Sequence, residues 1–265
     1  MRLMEETPMS SKAKAAEETH ELVRKAYGEV AKKQSSCCEP ASCCGPTQKA
    51  VSEGDLGLSC GDPVAFSQIM PGDVVLDLGS GAGKDVFLAA RRIGPSGKAI
   101  GVDMTDEMLA LAGKNVEKFK ASTGLGNVEF RKGRIEALPV KSGEVDIVIS
   151  NCVINLSPDK AKVFREASRA LKPGGRLVVS DIVLDKPLPK DLKEDANLYT
   201  ACIAGALPRA RYLQAIESAG FEGIEILAEK GHAGGRINGD PITGPVGDRL
   251  RGVASSITVL ARKPR

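Results

Sequence analysis

The sequence has no tryptophan, and it has only three tyrosines and six phenylalanines among its 265 residues. Aliphatic side chains must therefore supply almost all of the core. No apolar run approaches the roughly 18 residues that a membrane-spanning helix needs. The first ten residues, MRLMEETPMS, show neither the basic nor the apolar part of a signal peptide. We therefore expect a cytoplasmic protein that does not associate with membranes.

Histidine is nearly absent as well, with only His20 and His232. A mechanism that relies on a histidine base is therefore poorly supported. The net charge of +3, from 37 basic and 34 acidic residues, is too small to indicate a nucleic-acid partner. No basic run interleaved with aromatic residues is present either, so binding to nucleic acid is disfavoured.

The stretch from residue 74 to residue 83, VVLDLGSGAG, combines a short apolar strand with three glycines at alternate positions. After it, apolar residues recur at helical spacing, so the loop leads into a helix whose unpaired N–H groups face the same crevice. A strand, a glycine-rich turn and a helix in this order are typical of a nucleotide site on a parallel sheet.

Two acidic residues indicate which nucleotide binds. Asp77 lies two residues before Gly79, where a carboxylate would repel a pyrophosphate but attract an ammonium group. S-adenosylmethionine has that ammonium group and no phosphate, so we predict it as the methyl donor. Asp103 closes the next strand, where it can accept the ribose hydroxyls, and residues 134–136 fall in a turn near the adenine. The predicted cofactor-binding residues are Asp77, Gly79, Ser80, Gly81, Asp103, Met104, Ile135, Glu136 and Asn151.

Strand-like and helix-like segments alternate along most of the chain, which predicts an α/β fold with a doubly wound, mostly parallel sheet of seven strands. This is the Rossmann-like architecture of class I methyltransferases. We expect an N-terminal helix, and two helices between residues 184 and 221. The strands are expected at 74–78, 98–103, 127–131, 145–150, 176–180, 223–228 and 256–261. The expected domains are a helix and Cys-rich loop (1–60), an S-adenosylmethionine-binding domain (61–183), and a helical segment with the final strands (184–265).

Cysteine is the unusual chemical feature, with seven residues in the chain. Cys152 follows the fourth strand at the carboxyl edge of the sheet, where an acceptor would meet the methyl group. A cysteine there is often only a small apolar side chain. However, Cys60 and Cys202 lie in segments that reach the same edge, and Cys202 is expected on a helix. Three thiols from three segments can therefore converge.

Four further cysteines form two adjacent pairs in the segment SSCCEPASCCGP, residues 35–46. Serine, proline and glycine predict an exposed loop here. Structural zinc is disfavoured, because adjacent cysteines do not easily ligate one tetrahedral ion and the C-x₂-C spacing is absent. We therefore expect no metal cofactor, and a redox or metalloid role for the pairs. The residues concerned are Cys37, Cys38, Cys43 and Cys44.

Several motifs are specific in combination: YGEVA (27–31), GLSCG (57–61), VLDLGSGAGKD (75–85), ISNCVINLSPDK (149–160) and CIAGAL (202–207). With them the chain resembles the arsenite methyltransferase family, which methylates trivalent arsenic with S-adenosylmethionine. The resemblance implies Cys60, Cys152 and Cys202 as arsenic ligands. It also implies one redox-active thiol from the upstream pairs, for which we take Cys44. The implied partners are arsenite or glutathione-bound arsenite, with thioredoxin or glutathione as reductant.

The sequence thus predicts methyl transfer from S-adenosylmethionine to trivalent arsenic held by thiolates, with arsenic detoxification as its role. Arsenic(III) is soft and prefers thiolate ligands, and displacement at a methyl group needs alignment rather than a base. Two alternatives remain open. One is a methyltransferase of a small organic acceptor with incidental cysteines, and the other is a metalloid or metal sensor that keeps the fold without catalysis.

Overall fold

The computed structural model describes residues 10–36, 54–56, 61–231, 250 and 252–265. Within these ranges seven strands form one sheet in the order β3-β2-β1-β4-β5-β7-β6. Strands β1 to β5 pair in parallel, and β7 runs antiparallel to both β5 and β6. The predicted doubly wound, mostly parallel sheet of seven strands is confirmed. The strands are β1 (Val74–Leu78), β2 (Lys98–Asp103), β3 (Val128–Lys132), β4 (Val145–Asn151), β5 (Leu171–Leu184), β6 (Glu222–Gly231) and β7 (Ala254–Arg262).

Helices cover both faces of this sheet and its carboxyl edge. Local sequence sets several of their ends. Asp159 caps α5 by accepting a hydrogen bond from the N–H of Lys162 at 3.0 Å, and Gly124 ends α4 in the left-handed conformation. The helices are α1 (Ser11–Ser36), α2 (Pro63–Phe66), α3 (Lys84–Ile93), α4 (Asp106–Thr123), α5 (Lys160–Ala170), α6 (Lys190–Lys193), α7 (Ala196–Thr200) and α8 (Arg209–Ser218), with a 3₁₀ turn at Ile154–Leu156.

The core lies on both sides of the central strands. Leu76 and Leu78 of β1 point to the face covered by α5 and α8, whereas Val75 points to the face covered by α3. All three side chains are buried. Burial on both faces explains why β1 and β4 are mostly apolar rather than regularly alternating. Each fully buried aliphatic side chain contributes roughly 1.5–3 kcal/mol, so these strands hold their carboxyl ends firmly in place.

Four strands, β3, β4, β6 and β7, differ from their predicted bounds by one to three residues. Three larger details also differ from the sequence-based prediction. Strand β5 begins at Leu171 instead of residue 176, because Leu171 already pairs with Val145 before a register shift. The segment 184–221 contains three helices, not two, because the Asp195 side chain accepts from two backbone N–H groups and starts a new helix. Cys202 lies in the turn after α7, so its predicted place on a helix is wrong.

Helix α1 packs over the carboxyl edge through polar contacts with distant segments. Glu17 pairs with Arg134 at 2.6 Å, and Lys32 pairs with Glu107 at 3.0 Å. The hydroxyl of Tyr27 donates to the backbone oxygen of Thr200 at 3.1 Å. The helix therefore covers the region where the parallel strands end. The Cys-rich extension predicted after it lies outside the described residues.

Within the parts of the chain that the structure describes, no helix combines the length and the apolar character that crossing a bilayer requires.

Candidate active site

The glycine-rich turn after β1 depends on positions that only glycine occupies without strain. Gly79 and Gly81 have φ angles of 66° and 51°, in the left-handed region that disfavours other residues. A Cβ at Gly79 would also overlap the side chain of Val153. The loop therefore lies directly against the segment that carries Cys152, and its backbone is open to a ligand on the remaining side.

Buried acids line the floor beside this turn. Asp77 is 4% exposed, and burial raises its pKa well above the usual range, with the charges of Asp85 and Asp103 adding to that effect. Burial also raises the pKa of Asp85, although the hydrogen bond from Asn151 opposes the shift. The side-chain amide of Asn151 donates to Asp85 at 3.0 Å and to the backbone oxygen of Gly61 at 3.1 Å. A nearby cation favours the ionised form of such acids, so the group suits a cationic ligand.

Asp103 at the end of β2 is held by the backbone. Its carboxylate accepts from the N–H of Gly81 at 2.9 Å and from the N–H of Thr105 at 2.8 Å. These bonds lower the pKa of Asp103, but burial outweighs them and the pKa is raised. A carboxylate held in one orientation at the strand end is well placed to accept a pair of ligand hydroxyls.

A cavity of ≈ 490 Å³ connects these groups. All nine residues predicted to bind the cofactor line it, together with Cys152, Cys202 and residues of α1. Its size lies within the usual range for small-molecule sites, about 300–1,000 Å³. The glycine turn, the acids and the thiols therefore share one space, and the residues present fit S-adenosylmethionine in shape and charge.

Glu136 connects the cavity to the N-terminal helix. It is buried, it accepts from the hydroxyl of Ser157, and its Oε1 lies 3.0 Å from Nε2 of His20. His20 stands 116 residues away in sequence, so no local pattern indicated this contact. Asp85 was also missed, although an acid in the first turn of the helix after the glycine loop is a signal that could have identified it.

The structure brings two of the predicted arsenic ligands together. Cys152 and Cys202 are 9% and 3% exposed, and the thiol of Cys202 donates a hydrogen bond to the backbone oxygen of Cys152. Cys152 is disulfide-bonded, whereas Cys202 is a thiol. The remaining predicted site cysteines, Cys60 and Cys44, lie outside the described residues.

Cys152 and Cys202 both have an uncommon backbone conformation. Cys152 has φ 57° and Cys202 has φ 64°, and Gln68 is the other non-glycine residue with positive φ in the described ranges. Such conformations cost about 1–3 kcal/mol each and persist where the surrounding structure imposes them, often at functional sites. Two of them at cysteines that contact each other favour a functional role over simple packing.

The sheet order, the glycine turn and the acid-lined cavity at the carboxyl edge together define a methyltransferase of class I. Consistent with this, residues 69–231 match the family described as a methyltransferase domain.

Closer relatives specify the family. An arsenite methyltransferase of Halobacterium salinarum is 42% identical over 272 residues, covering 94% of this chain and 67% of the relative. Another arsenite methyltransferase, from Aquipseudomonas alcaligenes, is 41% identical over 199 residues, covering 71% of this chain and 58% of the relative. The crystal structure of an arsenic(III) S-adenosylmethionine methyltransferase from Chlamydomonas reinhardtii superposes with a TM-score of 0.64 at 34% identity, covering 78% of this chain and 67% of that one.

The chain therefore belongs to the arsenite methyltransferase family. It spans about three fifths to two thirds of the length of these relatives.

Proposed function

We propose that the protein transfers methyl groups from S-adenosylmethionine to trivalent arsenic held by the thiolates of Cys60, Cys152 and Cys202. One observation carries the proposal. Cys152 and Cys202 lie 50 residues apart in sequence, yet they touch at the wall of the cavity that also contains the glycine turn and Asp77. The substrate is arsenite or its glutathione conjugate, and the physiological role is arsenic detoxification.

The chemistry needs thiolates and alignment rather than a base. Trivalent arsenic is soft, and thiolates would hold it as a pyramid with the lone pair uncovered. S-adenosylmethionine, when bound, supplies an electrophilic methyl group on a sulfonium. The acids Asp77 and Asp85 provide negative charge for its cationic part, and Asp103 accepts the ribose hydroxyls. Orientation of this kind supplies roughly 7–11 kcal/mol of a barrier, so the scarcity of histidine is no obstacle.

The site also requires a reductant. Only a thiolate ligates arsenic, so the disulfide of Cys152 must be opened before the metalloid binds. Methyl transfer then formally oxidises arsenic from the trivalent to the pentavalent state, and a pair of thiols returns the two electrons by forming a disulfide. We assign this redox role to Cys44 with a partner thiol, and reopening to thioredoxin or glutathione. A reducing compartment such as the cytoplasm suits this cycle, which needs no metal cofactor.

The test is a methylation assay with purified protein, arsenite, S-adenosylmethionine and a thiol reductant. We expect methylated arsenic, detected by liquid chromatography and mass spectrometry. Cys152→Ser and Cys202→Ser should each lose at least about 100-fold of the rate, because a hydroxyl is a poor ligand for soft arsenic. Both variants should bind S-adenosylmethionine normally in calorimetry, since the glycine turn and Asp103 are intact.

The outcomes separate the alternatives. No product above the enzyme-free background from the wild-type protein would contradict the proposal. Full activity on a small organic acceptor in Cys152→Ser would indicate the alternative methyltransferase. Arsenite binding without any affinity for S-adenosylmethionine would indicate a sensor instead of an enzyme.

A further inference from the structure

A buried polar group lies beneath the two cysteine segments, and the chemistry above does not use it. Asn155 belongs to the 3₁₀ turn that follows Cys152 and is 0% exposed, and Asp181 of β5 is 1% exposed. The side-chain amide of Asn155 donates to Oδ1 of Asp181 at 3.0 Å and to the backbone oxygen of Ile182 at 2.7 Å. Both N–H groups of this amide therefore fasten the turn to the end of the strand.

The backbone of the same turn contacts the second cysteine segment. A Cβ at Gly205 would overlap the backbone oxygen of Asn155. Gly205 does not have a positive φ, so the position requires glycine for space and not for conformational freedom. The hydroxyl of Tyr199 also donates to the backbone oxygen of Leu156 at 3.2 Å. The two segments are thus packed backbone to backbone.

These contacts are spaced symmetrically about the thiols. Asn155 comes three residues after Cys152, and Gly205 comes three residues after Cys202. A shift of the contact between Asn155 and Gly205 therefore has only three residues of backbone to cross before it reaches either cysteine. Nζ of Lys160 also donates to the backbone oxygens of Asn155 and Ser157 at 3.2 and 2.9 Å, which adds two hydrogen bonds to the turn.

We propose that Asn155, Asp181 and Gly205 form a clamp that sets the separation of the thiols of Cys152 and Cys202. They are positioning residues, which touch neither arsenic nor S-adenosylmethionine. The consequence for arsenic rests on the function proposed above, whereas the separation of the thiols can be measured without arsenic. In this arrangement the Asn155 amide fixes one segment against β5, and the absence of a side chain at residue 205 lets the other segment approach.

The alternative is that the polar group contributes stability only, and Tyr212 distinguishes the two roles. Its hydroxyl donates to Oδ2 of Asp181 at 3.0 Å from helix α8, whereas the amide of Asn155 donates to Oδ1. Tyr212→Phe removes one hydrogen bond from the carboxylate that Asn155 also uses. If the hydrogen bonds contribute only stability, Asn155→Ala and Tyr212→Phe should change the behaviour of the two thiols to the same extent. If they form a clamp, only Asn155→Ala should change it.

The experiment uses the full chain in a parent variant that retains only the two clamped thiols. Its readouts are the rate at which a fluorogenic reagent bridges the two reduced thiols, and the affinity for arsenite. Asn155→Ala and Gly205→Ala are compared with two controls, Tyr212→Phe and Gly113→Ala, since a Cβ at Gly113 meets nothing. The residues replaced by serine in the parent are Cys37, Cys38, Cys43, Cys44 and Cys60.

We expect Asn155→Ala and Gly205→Ala to lower both readouts by roughly 10- to 100-fold, the effect of displacing reacting groups by about 1 Å. Affinity for S-adenosylmethionine should stay within about twofold, because the glycine turn is untouched, and both controls should behave as the parent. Circular dichroism establishes that each variant is folded. The replacement at residue 205 keeps the whole polar group, so it remains informative if Asn155→Ala does not fold.

Two results would overturn the clamp. One is parent-like bridging in both Asn155→Ala and Gly205→Ala, and the other is an equal loss in Tyr212→Phe. Rapid bridging in the parent with losses in the clamp variants would support the clamp even if the wild-type protein, which keeps Cys60, binds no arsenite. That second result would count against the proposed function alone.

Discussion

The two halves of the cavity are built in different ways. The half around Asp77 and Asp103 comes from consecutive strands and the turns after them, and backbone N–H groups hold the carboxylate of Asp103. The half around Cys152 and Cys202 comes from segments 50 residues apart, with left-handed backbone at both thiols. The first half follows from local chain geometry. The second depends on buried contacts between distant segments, so it should be more sensitive to its surroundings.

The largest effect that would test this contrast concerns Asp181, beneath the cysteine half. Burial raises its pKa to about 7, against opposing effects from Tyr212 and Lys160. Between its ordinary pKa of 3.8 and about 7, the folded state keeps a proton that the unfolded chain has released. Raising the pH through this window therefore favours unfolding. Above about pH 7, the free energy of unfolding no longer depends on the ionisation of Asp181.

Because Asp181→Asn cannot titrate, the wild-type protein should lose stability relative to this variant as pH rises from about 4 to about 7. The loss should reach at most about 4 kcal/mol, since each pKa unit corresponds to about 1.4 kcal/mol. Urea unfolding of both proteins at several pH values measures it. Parallel stability curves would mean that the carboxyl is not protonated in the folded state.

The next effect tests the first half of the cavity. Gly79→Ala places a methyl group against Val153 and forces alanine into a left-handed conformation. We expect S-adenosylmethionine affinity in calorimetry to fall by at least about 100-fold, since the turn must move by about 1 Å. Gly124→Ala is the matched control, because its φ is 72° but its Cβ would meet nothing. Equal affinities in the two variants would show that the contact with Val153 is unimportant.

The smallest effect concerns charge. A cationic ligand favours the ionised form of Asp77, whose pKa is raised well above its usual range without that ligand. Binding should therefore release protons, and affinity should increase with pH across the ionisation of Asp77. Asp77→Asn should bind about 10- to 30-fold more weakly, the lower part of the range for one hydrogen bond to a charged group.

Calorimetry in buffers of different ionisation enthalpy reports the released protons. Asp106→Asn is the control, since Asp106 is an exposed acid that pairs with Lys132 outside the cavity. Wild-type proton release in Asp77→Asn would assign the titration to Asp85 or Asp103 instead.

The sequence predicted the local features well. The bounds of β1 and β2 agree with the prediction, because apolar runs ending at glycine or aspartate mark buried strands that finish at a site. The early start of β5 was missed, since it depends on pairing with Val145 in another strand. The left-handed backbone of Cys202 was missed because it occurs in a turn that packs against the distant segment around Asn155. Tertiary contacts of this type have no signature in local composition.

The contact between Val153 and Gly79 has a consequence for attempts to redesign the enzyme. Val153 follows Cys152 directly and packs on the glycine turn, so one short segment is a wall of both halves. A substitution chosen to admit a bulkier acceptor would shift this wall and would lower the affinity for the methyl donor at the same time. Directed evolution of acceptor range should therefore vary residues 152–154 together with residues 79–81 in one library, since beneficial changes in the two stretches will be epistatic.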